Sequence, residues 1–242
     1  MPNYRRFIRN NLDPLVKEAS WPSTPQETED ARLQRLALLS LSARNGGDSR
    51  LIDEAKRLTY AWLADRQALA PDAADAVLAV ADRYADDALF DKLLEEAKKA
   101  ADPSDRGRLV RALAACNDLA LARHALEALA GREFQPVDSI SLLQVMSSHV
   151  ETRSLTYDYL KRHYDEVVAA LPSELFFWYL PMLADGFDKP QWREDMNAFF
   201  KDKPVALTGG PRILAQVSES IDLNHAFREA QQRSLAEFLK TQ

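Results

Sequence analysis

The chain has 242 residues, and its 46% hydrophobic and 28% charged residues are typical of a globular protein, not of a disordered one. Its net charge of −6 argues against a nucleic-acid partner, because phosphate binding needs a clustered basic face. The lone Cys116 excludes an internal disulfide, no apolar run reaches the roughly 18–20 residues of a membrane span, and the N-terminus lacks the apolar core of a signal peptide. We therefore expect a cytoplasmic protein without a nucleic-acid or membrane partner.

Amphipathic helices separated by short polar breaks account for nearly the whole chain, and no stretch predicts a β-strand. Prolines and short acidic side chains mark the expected helix starts, because both are favoured in or just before the first turn. We predict a first helix over 4–18 and a second that is opened by Glu27, Glu29 and Asp30 and has its body over 33–41. Further helices are predicted from Asp48, Pro71, Asp87, Asp102-Pro103, Asn117-Asp118, Pro136 and Thr152, and finally over 175–187, 189–200, 211–223 and 226–239.

The predicted helix starts near residues 48, 87, 118 and 152 recur every ~30–40 residues, which is the length range of helical repeats. This period predicts an all-α fold, an α-solenoid of antiparallel helical hairpins wound as a HEAT- or armadillo-like right-handed superhelix. We expect one domain over residues 1–242, with its weakest join at the loop 201–210. A stack of hairpins usually presents a binding surface, not a catalytic pocket.

No stretch carries a catalytic or metal-binding motif. The four histidines, His124, His149, His163 and His225, include no His-Glu-x-x-His pair, in which two zinc ligands lie one helical turn apart. A serine nucleophile elbow, a phosphate-binding glycine loop and a Cys-x-x-Cys pair are also missing. We assign no catalytic, cofactor-binding or metal-binding residue to this chain.

Three further features have a structural and a functional interpretation. The aromatic run 176–179 is typical of a deeply packed helix, with ligand stacking as the alternative. The short basic cluster at Arg5, Arg6 and Arg9 favours a solvated helix face. The apolar side chains of the first helix exceed what one neighbouring helix covers, so we expect either self-association through this helix or fraying of the residues before about Asp13. These side chains are Phe7, Ile8, Leu12, Leu15 and Val16.

Between about Asp13 and the C-terminus, the chain contains four short sequence motifs, called family-like places below. Their order and spacing match those of the corresponding motifs in one known family. They are Trp21 with the helix 29–36; Asp102-Pro103 with 108–114, Asp118 and Leu121; Phe199-Phe200; and Gly209, Arg212, Gln216, Glu219, Ile221 and Asn224. With them, the chain resembles the C-terminal helical-repeat domain of gluzincin zinc aminopeptidases, of the aminopeptidase N and endoplasmic-reticulum aminopeptidase type. Ser20 stands where the family has a glycine before the tryptophan.

The resemblance implies a non-catalytic domain that encloses substrate. In the family this domain forms a bowl over the active site, shapes the peptide chamber and helps to hold the far end of the peptide. The zinc ligands and the catalytic base belong to an earlier domain, so we expect zinc there, and we expect that domain and the peptide substrate as partners. The resemblance assigns no peptide-binding residue to this chain.

Two alternatives remain. A stand-alone helical-repeat adaptor would bind a protein or peptide on its concave face, whereas the leading hypothesis makes the chain a piece of a longer aminopeptidase.

Within the last motif, Arg212 and Glu219 lie two helical turns apart on a similar face. We expect both to make structural polar contacts with a neighbouring helix, the alternative being contact with substrate.

Overall fold

Helices make up most of the described chain. The computed structural model describes residues 2–24, 26–131, 133–170, 179–203 and 210–242, and none of these residues forms a β-strand. The predicted all-α class is confirmed. The α-helices are α1 (Pro2–Val16), α2 (Glu29–Leu41), α3 (Ser49–Ala64), α4 (Pro71–Arg83), α5 (Asp87–Lys99), α6 (Pro103–Ala114), α7 (Leu119–Ala130), α8 (Pro136–Ser148), α9 (Arg153–Arg162), α10 (Tyr164–Ala170), α11 (Pro190–Phe200) and α12 (Gly210–Lys240).

Helix starts follow the predicted chemistry. Short polar side chains just before α2, α3, α5, α6 and α7 accept hydrogen bonds from backbone N–H groups of the first turn, which would otherwise have no partner. These N-caps are Thr28, Asp48, Asp86, Asp102 and Asp118. Proline is the first residue of α4, α6, α8 and α11, where its missing N–H leaves no bond unmade.

The chain forms two compact units. Unit 1 contains residues 1–116 and 235–242, and unit 2 contains residues 117–234. The predicted single domain and the predicted right-handed solenoid both stay predictions.

The core of unit 1 is built around α4, which packs against α2, α3 and α6, while α5 packs against α6. The buried face of α4 combines small and large side chains, among them Ala74, Leu78 and Ala81. Leu109 and Leu113 of α6 are fully buried. As predicted, Cys116 is a small core residue, 1% exposed.

Helix α1 is covered within unit 1. Ile8 and Val16 are buried, and only Leu15 of the five predicted apolar side chains is largely exposed, at 62%. The ring of Phe7 meets the ring of Phe238 edge to face, with centroids 5.6 Å apart. The expectation of an exposed apolar face on α1 is therefore wrong, because the last turn of α12 covers part of it. Self-association through α1 stays a prediction without this support.

The basic cluster of α1 completes the ends of other helices. Arg6 donates to the carbonyl oxygens of Leu239, Lys240 and Gln242 at 2.6–3.4 Å. Arg9 donates to those of Gly46 and Gly47, next to the π-helical turn Ser42–Gly46 that follows α2. Gly47 has a φ of 70°, a left-handed conformation that glycine adopts without strain.

Aromatic side chains dominate the core of unit 2. The rings of Phe187 and Trp192 stack with centroids 4.1 Å apart, and the fully buried Tyr157 meets both edge to face. Helix α9, which carries Tyr157, packs against α7, α8 and α10. It also packs against a 3₁₀ turn at Pro181–Ala184.

Two predicted helices differ from those observed. Over 179–187, the described part of the predicted helix 175–187, no residue is α-helical; Tyr179 and the turn Pro181–Ala184 are 3₁₀-helical. Pro181 lacks the N–H that an α-helix through this point would need. The aromatic residues 176–178 lie outside the described residues, and Tyr179 is 45% exposed. The predicted helices 211–223 and 226–239 are one continuous helix, α12, because no proline or glycine interrupts residues 212–240.

Asp82 of α4 is a buried carboxyl group. It is 0% exposed, and neither carboxyl oxygen accepts a hydrogen bond of normal geometry from the described residues. Burial raises its pKa well above the usual value of 3.8, and only the nearby backbone N–H of Cys116 acts in the opposite direction. Ionising Asp82 therefore opposes folding.

We predict that Leu113→Ala lowers the free energy of unfolding by roughly 2–5 kcal/mol, because it opens a cavity in the core of unit 1. Arg111→Ala should lower it by about 1 kcal/mol or less, because the Arg111 side chain is 51% exposed and its ion pair with Asp75 (3.1 Å) is solvated. Urea denaturation of both variants tests this. Equal, small losses would show that α6 buries a different face.

We predict that Asp82→Asn stabilises the protein at neutral pH and has little effect below about pH 4. A raised carboxyl pKa gives stability that is complete below the unfolded-state pKa and is lost as the pH rises toward the folded-state pKa. The advantage of the variant should thus grow by up to about 1.4 kcal/mol per pH unit between the two pKa values. Urea denaturation at pH 4, 5, 6 and 7 measures it.

Asp53→Asn is the matched control for Asp82→Asn, since Asp53 lies exposed on α3. Its effect should be small at every pH. An advantage of Asp82→Asn that does not change with pH would contradict the assignment of the penalty to charge.

Candidate functional site

The first family-like place holds the start of the chain against α2 and α3. Trp21 is fully buried, and its indole N–H donates to the Leu51 carbonyl oxygen at 3.1 Å. Arg35 donates to the carbonyl oxygens of Ser20 and Trp21 and binds Glu27 through two bonds of 2.7 and 2.8 Å. The hydrogen bonds from Arg35 lower the pKa of Glu27. These residues have a structural role.

The second place builds the start of α6. Asp102 accepts from the backbone N–H groups of Ser104 and Asp105, both at 2.9 Å. Arg108 and Arg111 reach Asp75 of α4 at 3.4 and 3.1 Å. This place also stabilises the fold.

The third place ends α11 in an aromatic cluster. Phe200 is 1% exposed, and the Tyr164 ring lies edge to face with both Phe199 and Phe200, with centroids 5.6 and 6.2 Å apart. The ammonium group of Lys203 lies 4.5 Å from the centroid of Tyr164. This cluster again leaves little surface for a ligand.

The fourth place divides into buried and free residues. Ile221 is fully buried, and the Asn224 amide donates to the carbonyl oxygens of Asp185 and Phe187 at 2.9 and 3.1 Å. Arg212 and Glu219 are exposed and have no hydrogen bond or ion pair with any described residue. The described residues therefore give no support to the prediction that these two make structural contacts, and it stays a prediction. Gly209 lies outside the described residues.

A groove of about 360 Å³ lies within unit 2, where α12 passes the 3₁₀ turn. Its apolar lining is Met182, Ile213, Val217 and Leu223, and its polar lining is Asp185, Gln216, Glu219 and Ser220. The residues from α12 recur at spacings of three and four, which places them along one helix face. Gln216 and Glu219 of the fourth family-like place thus line the groove, while Asn224 holds the segment next to it.

Arg153 fixes the chain that follows the 3₁₀ turn. Its guanidinium group donates to the Gly186 carbonyl oxygen and to the last carbonyl oxygens of α8. An added Cβ at Gly186 would lie 2.8 Å from the Arg153 guanidinium, so a larger residue there would require this guanidinium to move. Burial lowers the pKa of Arg153, while the carboxylates of Asp188, Glu151 and Asp185 act in the opposite direction.

The described lining of the groove combines polar and apolar groups, and it includes no histidine, cysteine or lysine. It offers two carboxylates, an amide, a hydroxyl and an apolar floor. Sequence reasoning named Gln216 and Glu219 as family-like positions without assigning either to binding. It missed the other wall of the groove, Met182 and Asp185, which a turn beginning at Pro181 could have indicated.

The histidines and acidic residues do not gather at one point. Among the described residues, no three His, Cys, Asp or Glu side chains lie close enough together to hold a metal ion. His163 is bound through Nδ1 to Glu166 at 2.7 Å, and His124 lies on an exposed face of α7. In the same part of the chain, no helix has the length and apolarity to cross a membrane.

Comparison with known proteins agrees with this all-helical architecture. The family model of the ERAP1-like C-terminal domain matches residues 1–223. Aminopeptidase M1-A of Oryza sativa subsp. japonica is 23% identical over 231 residues, an alignment that covers 93% of this chain and 26% of the rice protein. The chain belongs to the ERAP1-like C-terminal domain family, which confirms the resemblance, and it spans about a quarter of the length of that relative.

We predict that Asn224→Ala lowers the free energy of unfolding by about 1–3 kcal/mol, because two partly buried carbonyl oxygens lose their donor. Glu219→Gln, five residues earlier on the same helix, should change it by less than about 0.5 kcal/mol, because this side chain has no partner to lose. Thermal and urea unfolding of both variants measure the difference. Similar losses would mean that Glu219 has a structural role after all.

Proposed function

We propose that this chain is the non-catalytic, substrate-enclosing domain of a zinc-dependent aminopeptidase. The match of its residues 1–223 to the ERAP1-like C-terminal domain carries this proposal. The alignment to a quarter of a rice aminopeptidase supports it, because the rest of such a protein has room for a catalytic domain. In this proposal the catalytic domain and the peptide are the partners, and the zinc belongs to that other domain.

The contacts of the family-like residues fit a scaffold. Four of these residues use their side chains for hydrogen bonds or core packing within their own unit; they are Trp21, Asp102, Phe200 and Asn224. Such a domain supplies shape and fixed surface groups, whereas the reacting groups come from elsewhere. We propose that the groove at α12 belongs to the surface that contacts peptide.

A stand-alone adaptor is the second candidate. It is favoured by one observation: the groove is formed entirely by residues of unit 2, so a ligand can bind it without a catalytic partner. The reading frame of the gene separates the two candidates. A His-Glu-x-x-His…Glu segment upstream in the same frame supports the aminopeptidase domain, and an upstream stop codon supports the adaptor.

We predict that the purified 242-residue chain binds no stoichiometric zinc and does not hydrolyse aminoacyl nitroanilides. The reason is that no helix of its sequence carries two histidines at the spacing of zinc ligands. Elemental analysis and an absorbance assay measure the two properties. One zinc per chain, together with turnover that a chelator abolishes, would overturn the proposal that the zinc and the catalytic groups belong to another domain.

A further inference from the structure

We propose that the groove between α12 and the 3₁₀ turn binds a peptide segment in which a lysine or arginine side chain lies next to an apolar one. This deepens the proposed function, on which it rests for the choice of peptide as ligand. The proposal names a site and a ligand class from the side chains that line the groove.

The size and apolar part of the groove fit a short peptide segment. Its volume of about 360 Å³ is at the small end of the range of ligand pockets. Val217 forms a buried floor at 2% exposure, while Met182 and Leu223 remain 44% and 62% exposed beside it. Covering these two side chains with an apolar ligand group removes their surface from water, which favours binding.

The described lining of the groove carries two carboxylates and no basic side chain. Two other acidic residues of unit 2 are paired: Asp222 with Arg193 at 2.8 Å, and Asp195 with Lys161 at 2.6 Å. Glu219, three residues before Asp222, has no ion pair with any described residue. The contrast leaves the carboxylate that lines the groove available to a cation.

Asp185 adds a second carboxylate to the same groove. Its backbone is fixed by Asn224, and its charge acts on Arg153, whose guanidinium group donates to Gly186 instead of forming a close ion pair. A phosphate or a peptide C-terminal carboxylate would meet repulsion from both acidic groups. A lysine or arginine side chain would meet attraction, and its methylene groups can lie along the apolar floor.

The remaining polar groups suit a peptide backbone. The Gln216 amide can donate and accept, and the Ser220 hydroxyl can do both, so each can pair with an N–H or a C=O group. Among the described residues, neither side chain has a hydrogen bond of its own. A peptide therefore satisfies the charge, the apolar floor and the free polar groups of one groove.

Fluorescence anisotropy on the full 242-residue chain tests the proposal. The probe is fluorescein-labelled Ala-Leu-Lys-Leu-Ala with an amidated C-terminus, and the comparison peptide has glutamate in place of lysine. We expect the lysine peptide to bind at least about fivefold more tightly, and added salt to reduce this preference. Equal affinities, or no binding of the lysine peptide up to millimolar concentration, would overturn the proposal.

Paired variants locate the binding site. Glu219→Gln should weaken binding of the lysine peptide about two- to fivefold. Glu229→Gln should leave it unchanged, because Glu229 is equally exposed on α12 but does not line the groove. Circular dichroism confirms that both variants fold. Equal effects of the two substitutions would place the binding elsewhere and refute the proposal.

The outcome is independent of the test of the proposed function. Peptide binding by a chain whose reading frame has no peptidase segment would support the proposed binding groove and refute the proposed aminopeptidase role. A peptidase segment upstream, together with no peptide binding, would support the aminopeptidase role and refute the binding groove.

Discussion

The fold depends on satisfying the ends of its helices. Each α-helix leaves its first N–H and last C=O groups without partners inside the helix, and a chain of short helices has many such ends. The N–H groups are met by neighbours in the sequence, as at Asp48 and Asp102. The C=O groups at several ends are met by long side chains from other elements: Arg50 at the end of α1, Arg106 at α5, Arg153 at α8 and Arg6 at α12. Cations at helix C-termini also complement the helix dipole.

This difference explains what the sequence could predict. An N-cap and the N–H groups it accepts from lie within three residues of each other, so a local pattern contains both partners, and the observed starts lie close to the predicted ones. Arg6 and the carbonyl oxygen of Gln242 are separated by 236 residues. No local pattern connects them, and the basic cluster of α1 was therefore interpreted only as a solvated face. The cover that the end of α12 gives to α1 escaped prediction for the same reason.

The candidate site was predictable in part. The family-like spacing located Gln216, Glu219 and Asn224 on one element, but the sequence does not distinguish a polar side chain that bonds to a neighbouring segment from one that remains free. The predicted helices ended at 223 and resumed at 226, so Asn224 fell between them. In the structure its amide donates to Asp185 and Phe187, so α12 continues through it. The other wall of the groove could not be predicted, since Met182 lies more than thirty residues before the groove residues of α12.

Helix α12 separates stability from recognition. Asn224 follows Glu219 by five residues, which at 3.6 residues per turn places their side chains about 140° apart around the helix axis. One side of the helix therefore holds the segment 185–187, while the other presents the free carboxylate of the groove. Asn224 and Arg153 bind the backbone carbonyl oxygens of Asp185 and Gly186 and so hold the segment next to the groove in place. A ligand in the proposed groove would therefore contact groups that are already ordered, and less conformational entropy would be lost on binding. Substitutions on the exposed side can then change the preferred ligand at little cost to the fold, which is the property that a domain needs if its role is to present a surface to peptides and not to react with them.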